Sequence, residues 1–233
     1  MENNVKSVEE KKSFDFMTTI LNCLTFVMAV ALKPVNGIKS RIKEFSDFKS
    51  AGILVLFVSV AKMIINLIGT MISTIFVKQR NYFSGETKLN VSFENLKNLN
   101  YFDLIIKNLI MSIIIVAAVA GIYYVVSMIM KKSSSYFRLV AITSVSFVPT
   151  VVASFVSIII AYIYAPLSVF LVFAAFVYSF LIFVYAINNE VEFKDADYKI
   201  FFHTICLTVV FIVAYYVLSN SISSMFDLNS LLK

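Results

Sequence analysis

The sequence contains few of the residues from which catalytic and metal sites are built. It has one histidine, His203, and two cysteines, Cys23 and Cys206, among 233 residues. A lone histidine cannot form a zinc site, and cysteines in two separate apolar segments are typical of buried free thiols. The H-E-x-x-H, G-x-S-x-G and P-loop motifs are also missing. We therefore expect a protein that is not an enzyme, with no catalytic residue, no cofactor and no metal.

Charged residues are scarce as well. They make up 15% of the chain, against 60% for hydrophobic residues. Soluble domains have about 25% charged and about 45–50% apolar residues, so this composition indicates a protein whose main solvent is lipid. The formal net charge is +6, but the cations lie mostly beside apolar segments, as expected for membrane insertion. We therefore expect no nucleic-acid partner.

Five apolar segments are long enough to cross a bilayer, which takes about 20 residues. Only Ala165-Pro166 separates the third from the fourth, so these two form a tight antiparallel pair. Pro149 lies near the middle of the third span, where a proline kinks a helix. The predicted fold is an all-α, polytopic membrane helix bundle with N-terminal interfacial or amphipathic helices. The spans are 51–77, 105–130, 138–164, 167–187 and 200–219, preceded by a cytoplasmic segment, 1–50, and followed by a short tail, 220–233.

The segment 14–32 is ambiguous. It is apolar enough to cross a membrane, but Thr18, Asn22 and Thr25 recur on one helical face. This pattern suits a helix that lies in the membrane interface or packs on the bundle. A full crossing remains the alternative, because the length of the segment is close to what a span needs.

The segment 37–50 predicts an amphipathic helix, with Ile38, Ile42 and Phe45 on one face. Its basic residues point largely elsewhere, which is the pattern of a helix lying on a membrane surface. The alternative is a short connector whose charges only set the topology. The expected partners are the lipid bilayer and, as further candidates, other proteins or a second copy. Contacts with anionic lipid headgroups are expected from Lys39, Arg41, Lys43 and Lys49.

Lysine and arginine residues predict the orientation of the spans. With a cytoplasmic N-terminus, most cations fall on the inside, including the pair Lys131-Lys132. The turn Ala165-Pro166, which is then outside, carries no charge. The long outside loop, 78–103, has apolar residues at a spacing of three from Phe93 to Phe102, which predicts a short interfacial helix. We expect a multi-pass protein of the cell membrane with its C-terminus outside.

One charged residue lies well inside a predicted span. Lys62 is in span one, and a cation at that depth is a functional candidate by default. It belongs to a polar stripe that runs from Ser59 to Ser73, and span three carries a hydroxyl stripe from Thr143 to Ser157. Packing the two stripes together is the most economical arrangement. Lys62 either binds a substrate or ion, or extends its ammonium to the inner interface. The candidate polar site is Lys62, Asn66, Thr70, Thr150 and Ser154.

The layout of the chain resembles that of a known family. An apolar lead-in ends at Leu32-Lys33-Pro34, and a basic segment, Lys43 to Lys49, runs into span one. Five spans follow, with a tight turn between the third and the fourth. In these features the chain resembles the bacterial branch of the Yip family of small membrane proteins. The D-L-x-G-P motif of eukaryotic members is absent, so the resemblance carries over no functional residue.

Two functions fit these observations. The lack of catalytic residues and of large soluble domains favours a non-enzymatic, Yip-like membrane protein that acts as a scaffold or interaction partner. The alternative is a small transporter or channel that uses Lys62 and the polar stripes of spans one and three. Transport folds often contain internal repeats, and no convincing repeat relates the halves of this sequence.

Overall fold

The computed structural model describes residues 16–80, 87–193 and 195–225. Within these ranges the chain is almost entirely helical, and five helical segments are long and apolar enough to cross a membrane. The predicted all-α membrane bundle with five spans is confirmed. The elements are α1 (Phe16–Leu32), α2 (Pro34–Arg41), α3 (Phe48–Ile75), β1 (Phe76–Arg80), β2 (Thr87–Val91), α4 (Asn108–Ile129), α5 (Tyr136–Ser146), α6 (Val148–Ile163), α7 (Ala165–Glu190) and α8 (Ala196–Met225).

The first span is α3, which begins at Phe48 rather than at the predicted residue 51. Its start is set by Asp47, whose carboxylate accepts a hydrogen bond of 2.9 Å from the backbone N–H of Ser50. This bond satisfies one of the donors that the first turn of a helix leaves free. A hydrogen bond from the Ser50 side chain, helped by nearby backbone groups, lowers the pKa of the Asp47 carboxyl. The cap therefore stays ionised at neutral pH.

The third span consists of two helices, α5 and α6. Phe147 ends α5 with a φ of −91° and a ψ of 5°, and Pro149 lies in the first turn of α6. Proline has no N–H to donate, and in a first turn none is required. The predicted kink at Pro149 therefore takes the form of a break at Phe147, just before the proline.

The N-terminal helices pack on the bundle through their apolar faces. The side chains of Cys23, Phe26 and Val30 on α1 are buried, and the ring of Phe26 stacks on Phe45 with 4.8 Å between centroids. Gly37 allows this packing, because a Cβ there would lie 2.9 Å from the backbone carbonyl of Ala29. The face with Thr18, Asn22 and Thr25 points outward. With 17 residues, α1 is shorter than the five spans.

The apolar face of the segment 37–50 is also buried in the protein. Ile38, Ile42 and Phe45 belong to the main core, in α2 and in a short 3₁₀ helix, Ile42–Phe45. The predicted amphipathic pattern is thus present, but its apolar side contacts other helices. The charged side chains of Lys39 and Lys43 are left exposed.

The loop after α3 contains a β-hairpin that the sequence did not predict. Strands β1 and β2 are antiparallel, with Phe76 opposite Val91 and Arg80 opposite Thr87. A 3₁₀ helix, Glu94–Asn98, and a π-helical turn, Asp103–Lys107, follow before α4. The apolar residues predicted to form an interfacial helix lie around the 3₁₀ helix.

The core occupies one half of the bundle. We call the end with α2, the turn at 131–135 and the turn at 191–193 the basic end, and the end with the β-hairpin the hairpin end. The buried cluster is built from α1, α2, α5 and the parts of α3, α4, α7 and α8 nearest the basic end. In the hairpin half, Ala153 and Ser168 are the buried side chains among the described residues. Apolar side chains there face outward, where a bilayer would cover them.

Candidate functional site

A polar cavity opens in the hairpin half between α3, α4 and α6. Its volume is about 400 Å³. It brings together three residues of the predicted polar site, Asn66 and Thr70 of α3 and Ser154 of α6. The two helices lie close together at Gly69, since a Cβ there would lie 3.2 Å from Cδ1 of Ile158. The other residues with polar side chains around the cavity are Ser73, Asn108 and Ser157.

The hydroxyl groups of the cavity donate to the backbone of their own helices. Thr70 Oγ1 donates to the Asn66 carbonyl at 2.9 Å, and Ser73 Oγ to the Thr70 carbonyl at 2.9 Å. On α6, Ser157 Oγ donates to the Ser154 carbonyl at 2.7 Å. A hydroxyl oxygen that donates once still has lone pairs for accepting, so the wall of the cavity is rich in acceptors.

Asn66 adds further hydrogen-bonding capacity to the cavity. Its side chain is exposed and forms no hydrogen bond with any residue in the described ranges. A primary amide has two donor hydrogens and an acceptor oxygen. The cavity is therefore a neutral site that can pair with hydroxyl or amide groups brought by another molecule.

Two residues of the predicted site lie elsewhere. Lys62 is exposed and does not line the cavity. It lies about 21 Å along α3 from Phe48 at the usual helical rise, close to the midpoint of the helix. Thr150 contacts α7 instead, where its Oγ1 lies 2.9 Å from Ser179 Oγ and 3.2 Å from the Ala175 carbonyl oxygen.

The hydroxyl stripes of spans one and three meet around the cavity in the hairpin half. Nearer the basic end, Ser59 on α3 bonds Ser112 on α4 at 3.2 Å, and Thr143 bonds the Leu139 carbonyl of its own helix. Sequence reasoning missed Ser112 and Ser179, because each is an isolated hydroxyl in an apolar run. A periodic stripe is the signal for a polar face, and a single serine carries no such signal.

Charges at the basic end form a second polar region. Arg138 Nη1 lies 3.1 Å from Glu190 Oε1, and the Glu190 side chain is only 8% exposed. Arg41 pairs with Glu44 at 2.9 Å and donates to Thr25 Oγ1 at 2.7 Å. Lys132 donates to the backbone carbonyl of Glu192 at 3.2 Å. The cations at this end therefore differ in whether their charged groups already have a partner within the protein.

His203 links three helices. Its Nε2 lies 3.1 Å from Asn188 Oδ1, and its Nδ1 lies 3.4 Å from the hydroxyl oxygen of Tyr123. Both contacts suit a neutral imidazole that donates from Nε2 and accepts at Nδ1. The ring also packs against Phe202. Within the described ranges, no three residues of the His, Cys, Asp and Glu types lie together as a metal site would require.

The family assignment comes from the sequence profile of the Yip1 domain. This profile matches residues 28–218, which is most of the chain and includes all five spans. The chain belongs to the Yip1 domain family. The predicted resemblance is therefore confirmed. No curated protein matches this member of the family, and no solved structure matches it.

Membership of the Yip1 domain family agrees with the fold. The matched residues begin in α1 and end in α8, so α2 and the basic segment belong to the same family unit as the spans. A multi-pass membrane protein is thus shown both by the family and by the five apolar helices. The family match gives no support to the transporter alternative.

Proposed function

We propose that this protein is a non-enzymatic scaffold of the cell membrane that binds a transmembrane helix of a partner protein. The main observation in support is the polar cavity between α3, α4 and α6 in the loosely packed half of the bundle. Polar groups on helix surfaces associate with polar groups of other helices inside a membrane. The cavity offers acceptor oxygens and the Asn66 amide, so a partner helix with serine, threonine, asparagine or glutamine side chains fits it.

The orientation belongs to the same proposal. Lys131, Lys132 and Arg138 lie at the basic end, whereas the turn between α6 and α7 carries no charge. Positive charges favour the cytoplasmic side, which supports a basic end in the cytoplasm and a cavity nearer the outer face. Five spans then put the C-terminus outside.

Lipid headgroups are the second partner in this proposal. Lys39 and Lys43 are exposed, and neither forms an ion pair with a described residue. Arg41, which the sequence also predicted as a headgroup contact, already has protein partners in Glu44 and Thr25. Of these three residues, Lys39 and Lys43 are therefore the stronger candidates for contacts with headgroups.

Photo-crosslinking in intact membranes tests the partner-helix proposal. A benzophenone amino acid at position 157 faces the cavity, and the same residue at position 159 provides a matched control on the lipid-facing side, where Ile159 is 61% exposed. We expect a discrete protein adduct from position 157 that Asn66→Leu abolishes, and lipid adducts from position 159. Equal yields of the protein adduct at positions 157 and 159 would refute the proposal. Solute flux in proteoliposomes that requires Lys62 would favour a transporter instead.

A further inference from the structure

A cleft at the basic end has the features of a lipid-headgroup site. It lies between α2 and the end of α7 and has a volume of about 330 Å³. Ile38, Ile42 and Ile142 form an apolar wall, and charged side chains of both signs stand at the rim. A phospholipid headgroup with the start of its acyl chains has this same division into a charged part and an apolar part.

The charges at the rim are not used up by the protein. Lys39 and Lys43 lie one turn apart on the same side of the α2 region, and Glu192 lies across the cleft. None of these three has an ion-pair partner among the described residues. Glu190, which also lines the cleft, is already paired with Arg138. The cleft therefore offers two free ammonium groups and one free carboxylate.

The outer surface of α7 leads from the membrane into this cleft. Leu181, Tyr185 and Asn189 follow one another at a spacing of four, on one face of the helix. Leu181 is 60% exposed and Tyr185 is 40% exposed, whereas Asn189 lines the cleft. The face thus changes from apolar to polar near the end of a span, which is the level of lipid headgroups. An acyl chain can lie along Leu181 while its headgroup occupies the cleft.

We propose that this cleft binds a phospholipid whose headgroup carries a primary amine. The phosphate accepts hydrogen bonds from Lys39 and Lys43, the ammonium of the headgroup donates to the Glu192 carboxylate, and an acyl chain follows Leu181 and Tyr185. This assignment rests on the headgroup contact proposed above and adds a selectivity to it. A lipid with a purely anionic headgroup fits less well, because its headgroup has no ammonium to pair with the Glu192 carboxylate.

Native mass spectrometry of the full chain tests the selectivity. The protein is released from phosphatidylcholine nanodiscs that contain equal amounts of phosphatidylethanolamine and phosphatidylglycerol, and the retained lipids are counted. We expect phosphatidylethanolamine to be retained preferentially. The double variant Lys39→Gln/Lys43→Gln lowers this retention by about tenfold, the loss expected for a charge-assisted hydrogen bond. The control Lys33→Gln/Lys97→Gln makes the same change in net charge outside the cleft and leaves retention unchanged.

Glu192→Gln separates the new inference from the general headgroup contact. It removes the partner of the amine and keeps both lysines, so preference for phosphatidylethanolamine should disappear while total retention persists. All three substituted positions are exposed, and thermal stability equal to the parent protein verifies folding. Preferential retention of phosphatidylglycerol by the parent protein would overturn the amine selectivity but leave the headgroup contact standing. Equal retention of all three lipids in every variant would overturn both.

Discussion

The two halves of the bundle differ in how they are packed. In α3, five residues from Ala51 to Ser59 are buried, and none of the residues after Ser59 is. The same division holds for α7, where Ile182, Phe183 and Ala186 near the basic end are buried and Phe173 faces outward. One helix therefore contributes to the core with one end and to a membrane-facing surface with the other. We therefore attribute most of the stability of the fold to the basic half, and the proposed binding surface lies in the hairpin half.

The largest effect on stability is expected for one of two phenylalanines in α7. Phe183 is 2% exposed and Phe173 is 63% exposed. Phe183→Ala removes packing against Tyr123 and Phe147 and should lower the free energy of unfolding by about 3 kcal/mol. Phe173→Ala should change it by less than about 0.5 kcal/mol. Steric trapping in bicelles measures both free energies. Equal losses would show that the two halves of α7 contribute equally to stability.

A glycine substitution tests how tightly the basic half is packed. Gly37→Ala places a methyl group 2.9 Å from the backbone of Ala29, and such overpacking costs about 1–3 kcal/mol. Gly121→Ala is the control, because nothing lies within 4 Å of the added carbon and alanine favours a helix by about 1 kcal/mol. Thermal unfolding in detergent should shift in opposite directions for the two variants. A neutral Gly37→Ala would show that α1 and α2 are held loosely.

The ion pairs of the basic half provide the next comparison. Glu190→Gln leaves Arg138 without its carboxylate, and Arg138 Nε is already buried without a hydrogen bond among the described residues. We expect a loss of about 2 kcal/mol, the cost of leaving a partly buried charged group unpaired. Glu44→Gln breaks an exposed pair with Arg41 and should cost at most about 0.5 kcal/mol. Chemical denaturation measures both variants. Similar losses of unfolding free energy would show that burial does not strengthen the Arg138–Glu190 pair.

The smallest effect is expected at the border between the halves. Thr150→Val removes hydrogen bonds to Ser179 and Ala175 on another helix and should cost about 0.6 kcal/mol, the average for bonds between membrane helices. Thr70→Val removes a bond within α3 and should leave stability unchanged, although it should weaken crosslinking to a partner. The same unfolding assay, run on both variants, distinguishes the two. A larger loss in Thr70→Val would place the cavity in the structural core.

Sequence periodicity located the spans because the bilayer requires long apolar helices, and it located the stripe around Asn66 and Thr70 because polar residues recur at helical spacing. It could not locate the β-hairpin after α3, since strands of five residues with mixed polarity have no strong pattern. It also could not assign Thr150 to α7. A stripe shows which side of a helix is polar, whereas the neighbour that it meets depends on how the helices pack.

The sequence also could not show whether an apolar helix face would be buried in the protein or in the membrane. Ile38, Ile42 and Phe45 have the spacing of a membrane-surface helix, and the same spacing serves burial in a protein core. Here the face is buried in the protein, because Phe26 of α1 stacks on Phe45. Since both surroundings are apolar, composition alone does not distinguish them.

Cysteine labelling in nanodiscs tests most directly whether the hairpin half contains an open polar cavity. The native thiols of Cys23 and Cys206 are buried, and burial raises the pKa of Cys23 to about 11 despite the nearby Arg41, so a water-soluble maleimide should label neither. In the purified protein, Ser157→Cys should be labelled rapidly, whereas Ile159→Cys in lipid and Val145→Cys in the core should not react. Labelling of Ser157→Cys as slow as that of Ile159→Cys, or rapid labelling of Val145→Cys, would contradict the account.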